Sequence, residues 1–312
     1  MGASRSRSMA AVNRPNGLAG LSRRSVENMR AAFNPLITWR PGWRDAAELL
    51  LLASTLPLYY LVRGVAHTHV DTAIGRGIDI VNFERNLGIF YEVDLQRLVI
   101  PYDWLVQLLN NFYLFGHLPV IGALAVWMYF WHRPQYLLMR NAFLLSGAIA
   151  LIFYVNFPTA PPRLLPHELG FGFVDTVVSE YKESRPLTPS WFVNEYAAFP
   201  SMHIGWNLLV GITLWLSTRN FFVRAFAVVM PLAMATDIVL TANHYIIDAL
   251  AGLAVMLLGL AIAMMGRWLV TRAYSPDSEA FRKKRWVAWL YWLSGTAEPQ
   301  HQQNFPMGQA AG

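Results

Sequence analysis

Apolar residues in this chain gather into long runs divided by short polar breaks. Six runs, at about 46–66, 103–131, 137–157, 201–217, 221–241 and 244–271, approach the roughly 20 apolar residues that a helix needs to cross a bilayer core. In the last run, ALAGLAVMLLGLAIAMMG carries no charge at all. A backbone in lipid must satisfy its own hydrogen bonds, so runs of this kind predict helices. Two segments break the pattern. Residues 67–100 mix charges with regularly spaced apolar residues and predict one or two amphipathic helices on the outer surface. Residues 158–199 open with PTAPPRLLP, are rich in Gly, Pro and acids, and end in SWFVNEYAAFP. A loop of that length points to function more than to connection. The expected architecture is all-α and polytopic: a six-transmembrane-helix bundle with amphipathic helices on its outer surface. Its expected divisions are a mobile basic arm at 1–44, a membrane catalytic domain at 45–271 and a tail at 272–312.

Composition agrees with a bilayer setting. Of 312 residues, 55% are hydrophobic and 14% charged, and mean hydropathy is +0.32, too apolar for an ordinary soluble domain. With no cysteine, disulfides and thiol chemistry are excluded. No apolar segment precedes Ala46, so no cleavable signal peptide is expected. In the six-span arrangement, 18 of the 25 lysines and arginines fall on the side of the termini and seven on the other. That bias predicts cytoplasmic termini in the cell membrane. The net charge of +6 then reads as topology and attraction to anionic lipid, with no nucleic acid implied. The tail FRKKRWVAWLYWL, basic and then rich in tryptophan, predicts an interfacial helix.

Chemistry enters at two histidines. His203 follows Pro200 and Ser201 at the start of the fourth run; His244 follows Asn243 at the start of the sixth. One crossing and one return separate them, so both are expected in the first turn of a descending helix, at one outer level. Asp248, four residues after His244, lies one turn deeper on the same face. From there it can orient the imidazole and stabilise its charged form. Two helix N-termini offer unpaired N–H groups for a phosphate, and Ser201 adds a hydroxyl. Two histidines, an aspartate and an anion site suit phosphoryl transfer by nucleophilic attack with acid–base help.

FPSMHIGW, followed about 40 residues later by NHYIIDALAG, resembles the second and third motifs of the type 2 phosphatidic acid phosphatase superfamily. The likeness is nearer to its inositolphosphotransferase-like branch, which includes inositol phosphorylceramide synthase and sphingomyelin synthase. PTAPPRLLP, ERNLGIF and NNFYLFGH are similar to that branch as well. The resemblance covers roughly residues 45–265. It implies a six-helix fold, no metal or other cofactor, and a phosphohistidine intermediate. It also implies that His244 is the nucleophile, backed by Asp248, with His203 as general acid and base. The phosphatase branch has a Ser-Arg pair where this chain has Asp237 and Ile238, and a glycine where it has Met202. Its first motif, a lysine seven residues before Arg-Pro, is not met by KESRP. A diester carries one charge and needs less of a clamp than a monoester. These departures therefore favour transfer of a phospho-headgroup, of phosphoinositol type, from a phospholipid donor to a lipid alcohol acceptor. Arg163, Ser201 and Asn243 are the expected phosphate contacts.

Asp237 is expected about two turns below the surface, where an ionisable group is costly and usually paired. It would orient His203, bind an acceptor hydroxyl or hydrogen-bond another helix. His117 is expected to be a structural hydrogen-bonder, and His67 and His69 to be exposed. The alternative enzyme is a lipid phosphatase acting on phosphatidate or polyprenyl diphosphate. A bis-histidine haem protein would need an apolar pocket, against the polarity of Asp248 and Ser201. A transporter would show broken helices and repeat symmetry, which the sequence lacks. A scaffold that retains the fold without activity is the remaining reading.

Overall fold

A computed structural model describes residues 33–36, 38–66, 70–177, 196–274 and 285–296. The chain divides into two units, Met1–Pro41 and Gly42–Gly312. In the first, residues 33–36 are helical. The second is helical throughout its described residues, apart from turns and one isolated parallel bridge between Thr159 and Ala197.

In chain order the helices are α1 (Trp43–Ala66), α2 (Val70–Leu87), α3 (Glu92–Val99), α4 (Asp103–Trp131), α5 (Arg133–Asn156), α6 (Met202–Ser217), α7 (Phe221–Leu240), α8 (Ile246–Ala273) and α9 (Arg285–Ser294). A π-helical turn, Phe112–Gly116, interrupts α4. Two 3₁₀ turns, Pro162–Leu164 and His167–Leu169, follow α5. Helices α2 and α3 match the amphipathic reading of residues 67–100. His67 and His69, the basic cluster at 282–284 and the stretch 178–195 lie outside the described residues.

Four helices, α4, α5, α7 and α8, are long and apolar enough to cross a membrane. The expected count of six is met only in part. Helix α6 is apolar but has 16 residues, about 24 Å at 1.5 Å per residue, short of a core of roughly 30 Å. Helix α1 has 24 residues but includes Arg44, Asp45, Glu48 and Arg63. The apolar belt expected of a bilayer protein is present: Val229 and Leu232 on α7 and Leu257, Leu258 and Met264 on α8 are all exposed.

Helix α8 is the axis of the bundle and packs against α2, α5, α6 and α9; α6 lies against α4, α5, α7 and α8. Small residues set these spacings. A Cβ on Gly259 would come within 2.7 Å of the Ser146 backbone nitrogen in α5, and a Cβ on Gly252 would collide with the Ser201 carbonyl. The main core, with Ile121, Met128, Leu209, Leu214, Met256 and Leu260, fills the space among α4, α5, α6 and α8. A second core packs α2 and α3 onto Ala160, Leu165, Phe173 and Tyr245.

At the end of the bundle away from the histidines, Glu48 and Arg140 form a buried ion pair with Nη1 2.6 Å from Oε2. Tyr136 Oη donates to Glu48 Oε1 at 2.7 Å and Trp292 Nε1 to Oε2 at 3.0 Å. Arg140 Nη2 donates to the Trp292 carbonyl at 2.6 Å. Buried charges persist when paired and saturated in this way. Trp292 and Tyr291 of α9 are buried here, while Trp286 and Trp289 remain exposed, so α9 is built into the bundle through one of its faces.

Candidate active site

The site forms where the first turns of α6 and α8 cross. Ser201 is the N-cap of α6 in an extended conformation, and its N–H donates to the Asp248 carbonyl of α8 at 3.0 Å. Gly252 admits this approach, one turn further along α8. Helix α7 ends through Ala242, whose φ is 52°, and the N–H groups of Asn243 and His244 turn back to the Ile238 carbonyl at 3.0 Å each. This left-handed helix stop holds the His244 backbone. His203 is in the first turn of α6, as expected. His244, however, precedes α8 by two residues, because Tyr245 is the N-cap.

His244 Nδ1 lies 2.9 Å from the Ala198 carbonyl oxygen and 3.4 Å from Asp248 Oδ2. A carbonyl only accepts, so Nδ1 carries a hydrogen, and in the neutral ring Nε2 then keeps its lone pair. That Nε2 faces His203 Nδ1 at 3.4 Å. Asp248 Oδ2 also accepts from the Tyr245 N–H at 3.0 Å, which fixes the carboxylate behind the ring. Tyr245 itself is buried. Burial, then the charges of Asp248, Glu84 and Glu92, push its phenol well above its usual range, and it donates to the Ala160 carbonyl at 3.0 Å.

A wall of rings closes the other side of His203. Tyr113, in the π turn, stacks on it at 4.3 Å between centroids, and His117 lies 4.8 Å away. Asn207, one turn below His203, uses both amide hydrogens: one to the His203 carbonyl and one to His117 Nδ1, each at 2.7 Å. The carbonyl partner fixes the amide's orientation, so His117 Nδ1 is an acceptor and its hydrogen sits on Nε2. His117 is therefore a structural hydrogen-bonder, as its sequence predicted, but one in ring contact with His203.

Arg163 reaches the same region. Its N–H donates to the Ala242 carbonyl at 3.0 Å and its Nε to Asn243 Oδ1 at 2.8 Å. Its Nη1 lies 3.2 Å from Asp175 Oδ1. Asn243 in turn donates to Thr241 Oγ1 at 2.8 Å. Ser201 Oγ is buried without a hydrogen-bond partner. Asp237 lies one turn from the end of α7, fully buried, and neither carboxylate oxygen has a partner. It therefore neither orients His203 nor bonds a neighbouring helix.

One expectation is overturned. The N-terminus of α8 has no free N–H groups for a phosphate at Ile246 and Ile247. Ile246 N donates to Glu92 Oε1 at 3.0 Å and Ile247 N to Glu84 Oε1 at 2.8 Å. Acids near the positive end of a helix are favourable, and here α3 and α2 supply them. The first N–H groups of α6 have no i−4 carbonyl and are the ones that remain for an anion.

Of the residues singled out in the sequence, His203, His244, Asp248 and Ser201 meet at the crossing of α6 and α8, and Arg163 and Asn243 bond to each other where the chain runs up to His244. Sequence reasoning did not assign Tyr113, Asn207, Glu84 or Glu92. For the two glutamates a signal existed: both are acids on helices with an apolar face, 154 and 163 residues from their partners.

A family model described as the PAP2 superfamily matches residues 78–262, more than half of the chain and the whole of this site. No curated protein and no solved structure matches the chain.

Proposed function

The chain belongs to the PAP2 superfamily, and from that premise we propose that it is a membrane phosphotransferase. It moves a phospho-headgroup, of phosphoinositol type, from a phospholipid diester to a lipid alcohol. The observation that carries the reading is the His244 ring, held by Ala198 and Asp248 with Nε2 turned towards His203.

In the first step His244 Nε2 attacks phosphorus and the bond to the diacylglycerol oxygen breaks. His203, entering with its proton, delivers it to that oxygen. In the second step His203 takes the proton of the acceptor hydroxyl, the new oxygen bonds to phosphorus, and the phosphohistidine bond breaks. Asp248 holds the Nδ1–H tautomer and balances the charge of the phosphorylated ring. Arg163, Asn243, Ser201 and the first N–H groups of α6 bind the phosphate oxygens. Asp237 receives the acceptor hydroxyl. Asp175 already takes up part of the charge of Arg163, which suits a singly charged diester better than a dianionic monoester. In this reading α1 and α6 also cross the bilayer, both termini are cytoplasmic, and the site faces the extracytoplasmic leaflet. The alternative, a lipid phosphatase, has water in place of the alcohol.

The test incubates purified protein with labelled phosphatidylinositol, with and without a lipid alcohol. Label should pass to the alcohol. Release of phosphate from monoesters, with no headgroup transfer, would replace this reading by the phosphatase one.

A further inference from the structure

Glu84 and Glu92 are both fully buried, yet among the described residues neither forms an ion pair. They come from different helices, α2 and α3, and converge on consecutive N–H groups of α8. Each uses Oε1 for that bond, and each leaves Oε2 without an N–H or O–H donor. The neighbouring Glu92 carboxyl and the charge of Asp248 both bear on Glu84. Two carboxyls that converge out of water and without a cation raise the cost of ionising both.

The surroundings supply no compensating charge. Arg76 lies over the ring of Phe157, and Arg85 over the rings of Phe90 and Phe171. Arg97 pairs with Asp94 on the exposed side of α3, and Arg163 is held by Asn243 and Asp175. The start of α8 brings only Asp248, Tyr245 and His244, and α7, which packs on α3, brings Asp237. Acids therefore dominate, and the positive end of the α8 dipole is what stabilises negative charge there.

We infer that Glu84 and Glu92 are positioning residues, sharing one proton and pinning the first turn of α8 so that Asp248 and His244 keep their register against His203. The inference rests on the phosphotransfer reading for its purpose, but not for its test. With the proton present, Glu84 Oε2 and Glu92 Oε2 are joined and both caps stand. With it removed, the like charges repel and one carboxylate leaves its N–H. Burial, with the hydrogen bond and charge of Glu92, pushes the Glu84 carboxyl up to about 9, which places that loss on the alkaline side.

The experiment uses the full chain in lipid nanodiscs and two readouts that need no turnover. Infrared spectroscopy should show the C=O stretch of a protonated carboxyl at neutral pH, fading as pH rises past about 9. Hydrogen exchange of a peptide spanning 243–250, corrected for its intrinsic pH dependence, should accelerate about tenfold or more over the same range. In Glu84→Gln and in Glu92→Gln the amide N–H replaces the shared proton. That infrared band should be absent from both variants, and the alkaline acceleration should vanish. Glu84→Ala should exchange about tenfold faster already at neutral pH. A wild-type spectrum identical to those of the Gln variants overturns the shared proton. Unchanged exchange in Glu84→Ala, or an alkaline acceleration that survives in both Gln variants, overturns the positioning role. Absence of headgroup transfer in the wild type defeats the proposed function alone.

Discussion

The N–H of Ser201 donates to the carbonyl of Asp248 at 3.0 Å, joining the two histidine-bearing motifs through their backbones. His203 and His244 are 41 residues apart in sequence, yet their ring nitrogens meet because this bond and the crossing at Gly252 leave the helices no slack. The geometry of the pair is therefore set by backbone contact, and only then refined by side chains.

Gly252→Ala tests that contact. The new Cβ would collide with the Ser201 carbonyl, so α6 must move away from α8. Overpacking of this kind costs about 1–3 kcal/mol, and a displacement near 1 Å at reacting groups can cost about a hundredfold in rate. A modest fall in melting temperature with a loss of turnover of about that size is expected. Wild-type turnover would show that the crossing does not set the histidine distance.

His244→Ala should abolish covalent labelling of the protein by a donor carrying labelled phosphate. Asp248→Asn should retain labelling but slow it by about 10²–10⁴. Stoichiometric label on the His244→Ala variant would move the nucleophile elsewhere.

Asn207→Leu removes the donor to both His117 Nδ1 and the His203 carbonyl. A buried acceptor left unpaired costs about 1–3 kcal/mol, so melting temperature should fall. Turnover should fall with little change in KM, since Asn207 lies below the rings and away from the lipid. A change in KM alone would place Asn207 in substrate binding.

Stability should depend on pH through Glu84. Its folded carboxyl titrates near 9 against an ordinary 4.5, so the folded state holds a proton the unfolded chain has lost. That contribution is fully present below about 4.5 and is lost as pH rises through about 9. Melting temperature in detergent should fall across this window, and Glu84→Gln should flatten the slope. An unchanged slope in the variant would assign the effect to another group.

Arg140→Met leaves Glu48 buried without its partner at the far end of the bundle. Breaking such a pair costs about 3–5 kcal/mol. The double variant with Glu48→Gln should recover much of the lost melting temperature, whereas additive losses would indicate that packing, not charge, dominates there.

How much of this was legible in advance follows from the range of each interaction. Helical character, the apolar runs and the amphipathic stretch at 67–100 depend on neighbours within a few turns, and so the linear pattern determines them. The histidine pair was legible for a related reason: two successive apolar helices return the chain to the same end of the bundle, and P-S-x-H and H-x-x-x-D mark the two starts. The count of spans was less legible: the run at 201–217 does end with α6 at Ser217, but its 16 residues fall short of a bilayer core, and α1 carries four charged residues.

What only the tertiary structure decided are the contacts between distant segments. Nothing in the sequence near Ile246 shows that its N–H goes to Glu92 and that of Ile247 to Glu84, and nothing near His203 shows that a π turn brings Tyr113 onto its ring. A helix terminus looks free until a side chain from another helix reaches it, because a backbone N–H accepts any suitably placed oxygen, whatever its position in the chain. The sequence therefore determined which candidate groups stand at the two helix starts, while packing decided which of the surrounding donors and lone pairs are already taken.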